Sequence, residues 1–312
     1  MKKLLILLIV CCTLTSYGQQ ENQFTQFMYN QLILNPAYAG ARGLTSFQAL
    51  YRGQWLGFEK APTTKLLSFN TPLFGDKVGL GISIANYTHG IHNVWNGSMA
   101  YAYNVRINKE TSFRFGIQGN IRNFNIDFSD PSVRVQQNND PSVTTDDAQN
   151  KYTGNFGAGI YLSHKQMYFG VSVPSIYPNE IGINPTSRET AEEVPHLYVM
   201  AGTLIPVSSK VDIKPAVLLK RVQNAPIDLD VNLSFVFDKR ITAGVSYRLG
   251  GDGAGESVDA LVMFQYNSIA FGLAYDLGLS QLSDYNNGSF EALIRYDFLK
   301  ERDDIANPRF FF

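Results

Sequence analysis

Residues 268–278 read SIAFGLAYDLG, and the spacing of their apolar side chains decides the fold class. Ile269, Phe271, Leu273, Tyr275 and Leu277 share one face of an extended chain. Ala270, Gly272, Ala274, Asp276 and Gly278 share the other, because successive side chains of a strand point to opposite sides. Segment 239–249 repeats the scheme, with Ile241, Ala243, Val245, Tyr247 and Leu249 against Arg240, Thr242, Gly244, Ser246 and Arg248. In 226–237 the apolar set is Ile227, Leu229, Val231, Leu233, Phe235 and Phe237, opposite Asp228, Asp230, Asn232 and Ser234. One face is continuously greasy and the other small, polar or charged, which predicts strands.

Working outward from these segments, the same period predicts strands near 44–54, 62–72, 77–89, 93–106, 111–124, 151–163, 165–174, 194–207, 210–220, 226–237, 239–250, 257–266, 268–278 and 287–298. The connections alternate in length. Short ones fall at 73–76, 107–110, His164, Ser208 with Ser209, Asp238 and Asn267, and longer ones at 55–61, 125–150, 175–193, 250–256 and 279–286. Connections 90–92 and 221–225 are short for the longer side. An even set of about 14 strands, with tight turns at one end and loops at the other, predicts an all-β chain forming a transmembrane antiparallel β-barrel of outer-membrane type over 44–298.

A secreted sandwich or propeller also alternates, and three features count against it. The apolar face carries almost no charge from strand to strand. Trp95, Tyr103, Tyr247, Tyr266, Tyr275, Tyr296 and Phe298 sit toward strand ends, where interfacial girdles belong. The third feature is an export signal: two lysines, an apolar run from Leu4 to Leu14, and small residues at Ser16 and Gly18. Cleavage is expected after Gly18, giving a signal peptide over 1–18. The run is about ten residues, well short of the roughly 20 a spanning helix requires. Val10 and Cys11, preceding Cys11 and Cys12, are not the small residues of a lipoprotein site. Both cysteines leave with the signal, which removes disulfides, Cys-held metals and Cys nucleophiles from the mature chain.

Composition and motifs narrow the function. A net charge of −1 with 17% charged residues offers no footprint for nucleic acid. No nucleophile elbow, phosphate loop, zinc-protease or dinucleotide motif occurs, so no enzyme and no cofactor are expected. His89 and His92 could offer two metal ligands, but no third is near, and a solvated pair is the plainer reading. A hydrolase would need partners for His164 or His196, which the strand assignment puts on opposite rims or faces. GGDGAGE (250–256) lacks calcium-loop spacing and reads as a loop tip. The loop 125–150 sets Asp127, Asp130, Asp140, Asp146 and Asp147 against Arg134 alone, an acidic, solvated loop. The face expected to line the lumen carries both signs: Arg114, Arg122, Lys214, Lys220, Asp228, Asp230, Arg240, Arg248, Asp259, Glu291 and Arg295. Pairing across the lumen is the expectation.

Two regions stand outside the alternation. In NPAYAG (35–40), Asn35 and Pro36 fix an extended-to-turn transition, Tyr38 offers an apolar body with a hydroxyl, and Gly40 permits entry into the first strand. Residues 19–43 form either a periplasmic or lumenal plug or a simple lead into strand one. Arg52, Gln54 and Trp55 end that strand, the first two on one face. Beyond the last strand, the tail 299–312 ends in Asn307, Pro308, Arg309 and Phe310, a candidate docking or assembly peptide.

The stretches FTQFMYNQLILNPAYAG (24–40), YRGQWLGFEKAPTTKLLSFNTPL (51–73) and NPRFF (307–311) together resemble the PorP/SprF family of Bacteroidota outer-membrane proteins, tied to type IX secretion and gliding. The resemblance covers the chain from Gln19 to Phe312. It implies a non-enzymatic barrel in the bacterial outer membrane. One branch of the family works with an exported adhesin through its C-terminal signal domain; the other links the membrane to the periplasmic ring and a peptidoglycan-binding lipoprotein-like partner. The first branch is expected here, with the motif residues in partner binding or structure. A passive porin or solute transporter is the rival use of such a barrel.

Overall fold

The computed structural model describes residues 23–130, 148–181, 192–223, 225–250 and 255–299. The expected signal and the tail with Asn307, Pro308, Arg309 and Phe310 lie outside the described residues, as do Arg134, Asp140, Asp146 and Asp147.

Fourteen long strands form one antiparallel sheet in sequence order: β1 Thr45–Gly53, β2 Thr63–Leu73, β3 Val78–His89, β4 His92–Arg106, β5 Thr111–Asp127, β6 Ala148–His164 and β7 Met167–Val173, then β8 His196–Thr203, β9 Val211–Val222, β10 Asp228–Phe237, β11 Ile241–Leu249, β12 Gly255–Tyr266, β13 Ile269–Gly278 and β14 Ser289–Phe298. β1 pairs with β14, from Thr45 opposite Phe298 to Gly53 opposite Phe290. This pairing closes the barrel and removes both sheet edges. Among the described residues no helix is long and apolar enough to cross a membrane; this chain crosses with strands.

Burial runs opposite to that of a soluble protein. On β13, Phe271 is 46% exposed while Ala270 is 0% exposed. The outward rows are apolar, and the buried rows hold Arg52, Arg114, Lys214, Asp230, Arg248, Asp259, Asp276, Glu291 and Arg295. A sandwich with this sequence would bury the phenylalanines. A barrel in lipid turns them outward and keeps the charges in a polar lumen. The aromatics at strand ends, Trp95, Tyr103, Tyr247, Tyr266, Tyr275, Tyr296 and Phe298, are all exposed on this outer surface.

Several details differ from the sequence reading. β1 stops at Gly53: Gln54 donates its backbone N–H to the Pro62 carbonyl at 2.9 Å, and Trp55 takes a φ of 50°, outside the β region. Gln54 and Trp55 therefore open the first long loop. Arg240 is exposed in the β10–β11 turn rather than lumenal. Asp238 and Lys239 there adopt φ of 46° and 55°, the geometry that closes a tight hairpin, and β11 begins only at Ile241. Asp228 is half-buried rather than enclosed. The hairpin β5–β6 extends until Asp127 faces Ala148, which narrows the acidic loop. The expected strand 194–207 breaks after Thr203, and Ile205–Pro206 pairs separately with Ile213 and Asp212.

Candidate functional site

The lumen is not empty. Residues 23–44 lie inside it, as a 3-10 turn at Phe27–Tyr29, an α-turn at Gln31–Leu34 and a second 3-10 turn at Pro36–Tyr38. Phe24, Phe27, Met28, Leu32, Ala37 and Tyr38 are buried, although the walls they meet are the polar face of the sheet. The segment enters the lumen with its N-terminal end toward the long loops. It leaves at the short turns, where Leu44 leads into β1.

At the short-turn end, NPAYAG is fitted to glycine. Asn35 Oδ1 accepts the Ala37 N–H at 2.9 Å, and Nδ2 donates to the Ile160 carbonyl at 3.0 Å. The preceding carbonyl, of Leu34, accepts from Ser172 Oγ at 2.6 Å. Gly79, Gly116, Gly159 and Gly170 face the lumen on β3, β5, β6 and β7, and a methyl group on any of them would collide with Ala39, Ala37 or Asn35. The Gly40 N–H donates to Asn70 Oδ1 at 2.6 Å, and its φ of 69° is a conformation glycine adopts without steric penalty. Tyr38 packs edge-on against Tyr161 at 5.5 Å. Arg42 then grips Asp297 through two nitrogens, at 2.5 and 3.1 Å, a forked geometry that fixes orientation as well as charge.

The long-loop end is held by carboxylates. Glu291 accepts the backbone N–H of Thr25 at 3.0 Å and of Gln26 at 2.9 Å, and Asp276 accepts the Thr25 hydroxyl at 2.6 Å. Arg52 ties these together, donating to Thr25 Oγ1 at 2.9 Å and bridging Asp276 at 2.6 Å and Glu291 at 3.4 Å. Beyond them, Arg248 bonds Asp230 at 2.7 Å, and Lys220 reaches the same carboxylate at 2.8 Å. The middle of the segment is capped by charge: the Lys214 ammonium stands 4.1 Å from the ring centre of Tyr29, a cation–π contact.

The motif residues therefore form two groups rather than one site. Asn35, Pro36, Tyr38 and Gly40 dock at the short-turn end. Arg52 anchors the other end, Gln54 borders a cavity there, and Trp55 is exposed on the rim, its backbone N–H donating to Ser289 Oγ at 3.2 Å. The lumenal segment joins the two groups. Sequence reasoning did not assign Arg42, Asn70, Asp276 or Asp297 a role. The lumen-facing glycines were the available signal, since β3, β5, β6 and β7 each omit a side chain where the segment passes.

Above residues 23–34 the lumen opens toward the long loops as a cavity of about 650 Å³. Its floor includes Phe24, Ile33 and Leu34, and its walls carry Ser98, Gln118, Asn120 and Ser257. His196 lies on the wall with Nδ1 2.7 Å from the Val194 carbonyl. His89 and His92 stack with ring centres 4.8 Å apart. Among the described residues no group of three His, Cys, Asp or Glu could hold a metal ion.

Solved barrels resemble this one in fold. A ΔS2S3 mutant of the monoaromatic hydrocarbon channel TodX matches with a TM-score of 0.53 at 10% identity, over 86% of this chain and 94% of that one. The Pseudomonas putida toluene transporter TodX gives 0.49 at 10%, over 86% and 93%, and a Pseudomonas aeruginosa FadL homologue gives 0.44 at 11%, over 91% and 96%. No curated protein matches the sequence. The family model for the type IX secretion system membrane protein PorP/SprF matches residues 16–296. A closed barrel with an apolar exterior places the chain in the outer membrane, and it belongs to the PorP/SprF family of type IX secretion system membrane proteins.

Proposed function

We propose that this chain is a non-enzymatic docking component of type IX secretion, a barrel that holds an exported surface adhesin through the adhesin's C-terminal signal domain. The observation that carries this reading is the lumenal segment fastened at both ends, by Glu291, Asp276 and Arg52 at one and by Asp297 at the other. A passive porin needs an aqueous path. A barrel packed with its own residues 23–44 works instead as a scaffold with two usable mouths. Short turns face the periplasm in bacterial barrels of this class, which puts NPAYAG and the end of β14 on the periplasmic side. In sequence, the tail with Asn307, Pro308, Arg309 and Phe310 follows the end of β14.

The test is a mild-detergent pull-down of the tagged protein from outer membranes. Recovery of one large surface protein, retained through its C-terminal domain, is the expected result. Recovery of periplasmic ring proteins and a peptidoglycan-binding lipoprotein instead would make the chain a core link to the secretion motor. Recovery of neither, together with a steady open-channel conductance, would return the porin.

A further inference from the structure

We infer that the cavity at the long-loop mouth is a receptor site for a polypeptide segment of the surface partner, held through its backbone and free of acidic side chains, inserted from outside onto the floor made by Phe24, Ile33 and Leu34. This rests on the docking function proposed above and adds to it the place and the chemistry of the contact.

The lumen wall already shows what it binds. After β7 the chain turns inward, and Gln118 Nε2 and Asn120 Nδ2 both donate to the Pro174 carbonyl, at 2.9 and 3.2 Å. Asn155 Oδ1 accepts the N–H groups of Ile176 and Tyr177 at 3.0 and 2.9 Å, while its Nδ2 donates to the Tyr177 carbonyl at 2.7 Å. Across the lumen, Glu291 accepts the N–H groups of Thr25 and Gln26. Two separate stretches of chain are thus held by their backbones, on side chains that project from the strands. Such recognition is tolerant of sequence, because backbone donors and acceptors are common to every residue. The unfilled volume of about 650 Å³ lies between these two stretches and is bounded by the same kinds of side chain.

Charge narrows the ligand. Arg52, Arg122 and Arg248 line the cavity against Glu193, Glu256 and Asp276. The signs cancel, and Arg52 and Arg122 are bridged within the wall, to Asp276 at 2.6 Å and to Glu193 at 2.8 Å. An acidic ligand would find these arginines already engaged, Arg248 by Asp230 at 2.7 Å, and its desolvation would go unrepaid, whereas Glu256 is met by the Gln23 amide at 3.4 Å. The mouth above is rimmed by exposed Trp55, Leu56, Phe58, Leu279 and Tyr285. The two loops that carry them are zipped together, Leu56 N–H to the Gly288 carbonyl at 2.8 Å and Asn287 N–H to the Leu56 carbonyl at 2.7 Å. Aromatic side chains on a braced rim suit a protein surface resting above an inserted segment.

Ser98 lines the cavity, Phe74 is exposed at the short-turn end, and no cysteine follows Cys12. Barrels bearing Ser98→Cys or Phe74→Cys are treated in outer membranes with a bulky polyethylene-glycol maleimide and solubilised mildly. The surface protein that copurifies with the untreated barrel is then quantified. Modification at 98 is expected to lower recovery at least ten-fold and modification at 74 to leave it unchanged, with heat-modifiable gel mobility showing a folded barrel in both. If Ser98→Cys does not fold, Gln54→Cys takes its place. Full recovery with the cavity thiol completely modified overturns the site and leaves the docking function standing. A cavity thiol that stays unreactive in membranes stripped of partner means the chain's own residues fill the space, and that also overturns it. An untreated barrel that recovers no surface protein removes the docking function and this inference together.

Discussion

Both polar atoms of the Asn35 side chain are bonded to backbone, Oδ1 to the Ala37 N–H and Nδ2 to the Ile160 carbonyl. Asn35→Ala removes the cap on the Ala37 N–H and the tie to the Ile160 carbonyl, so it is expected to loosen the lumenal segment by about 1–2 kcal/mol; limited proteolysis that newly cuts near residue 38 would register it. Gly79 is a steric requirement, since any side chain there meets the Ala39 carbonyl. Gly79→Leu should act by overpacking, at a cost of about 1–3 kcal/mol, and leave the barrel's heat-modifiable gel shift intact. Arg42 differs from both because it answers a buried charge. Asp297 is fully buried and keeps only Arg295, at 3.3 Å, when Arg42 is lost. Asp297→Ala should lower the urea midpoint more than Arg42→Ala, because it takes a buried carboxylate from both Arg42 and Arg295, whereas loss of Arg42 leaves the Asp297–Arg295 pair standing.

The lumenal segment shows how an element can depend wholly on its surroundings. Its turns span three or four residues each, too short to hold in water by themselves. Its order comes from the wall: glycines make room, carboxylates take its N–H groups, and Arg42 fixes its exit. Removal of residues 23–43 is expected to leave a folded barrel and open the lumen, because the sheet closes through β1 and β14 without any help from the segment. Planar-bilayer recording checks this, with the full chain giving small or no steady currents and the deletion giving discrete open steps. Equal conductance for the two would mean that water and ions bypass the segment.

For the molecule as a whole, the inverted burial has an energetic signature. Val245 sits mid-strand on the outer face, 56% exposed, beside the buried Ser246. Val245→Arg places a charge in hydrocarbon and is expected to cost about 2–4 kcal/mol of folding stability in lipid vesicles, whereas Ser246→Ala should cost far less. Equal effects would mean that the outer rows do not face lipid. Orientation is equally open to measurement. An epitope inserted at Asp284 in the long β13–β14 loop should be reached by antibody on intact cells, and one inserted at Lys239 only after the outer membrane is breached.

What the sequence by itself determined is the sheet. Alternation in stretches such as SIAFGLAYDLG is a local property, imposed by a strand having lipid on one side and polar lumen on the other, and it located the strands to within a few residues. Their ends were less legible because turn geometry sets them: left-handed Trp55 closes β1 early, and left-handed Asp238 and Lys239 push Arg240 out of the lumen. Residues 24–40 carried no such period. Their apolar content and the NPAYAG turn left a plug and a simple lead equally open, since neither alternative leaves a repeating trace. Only the closed barrel brings Asn70, Asp297 and Glu291 within bonding distance of residues 25–42. Contacts spanning as much as 266 positions in the chain depend on where the strands meet, and that is decided by closure of the sheet rather than by any local run of residues.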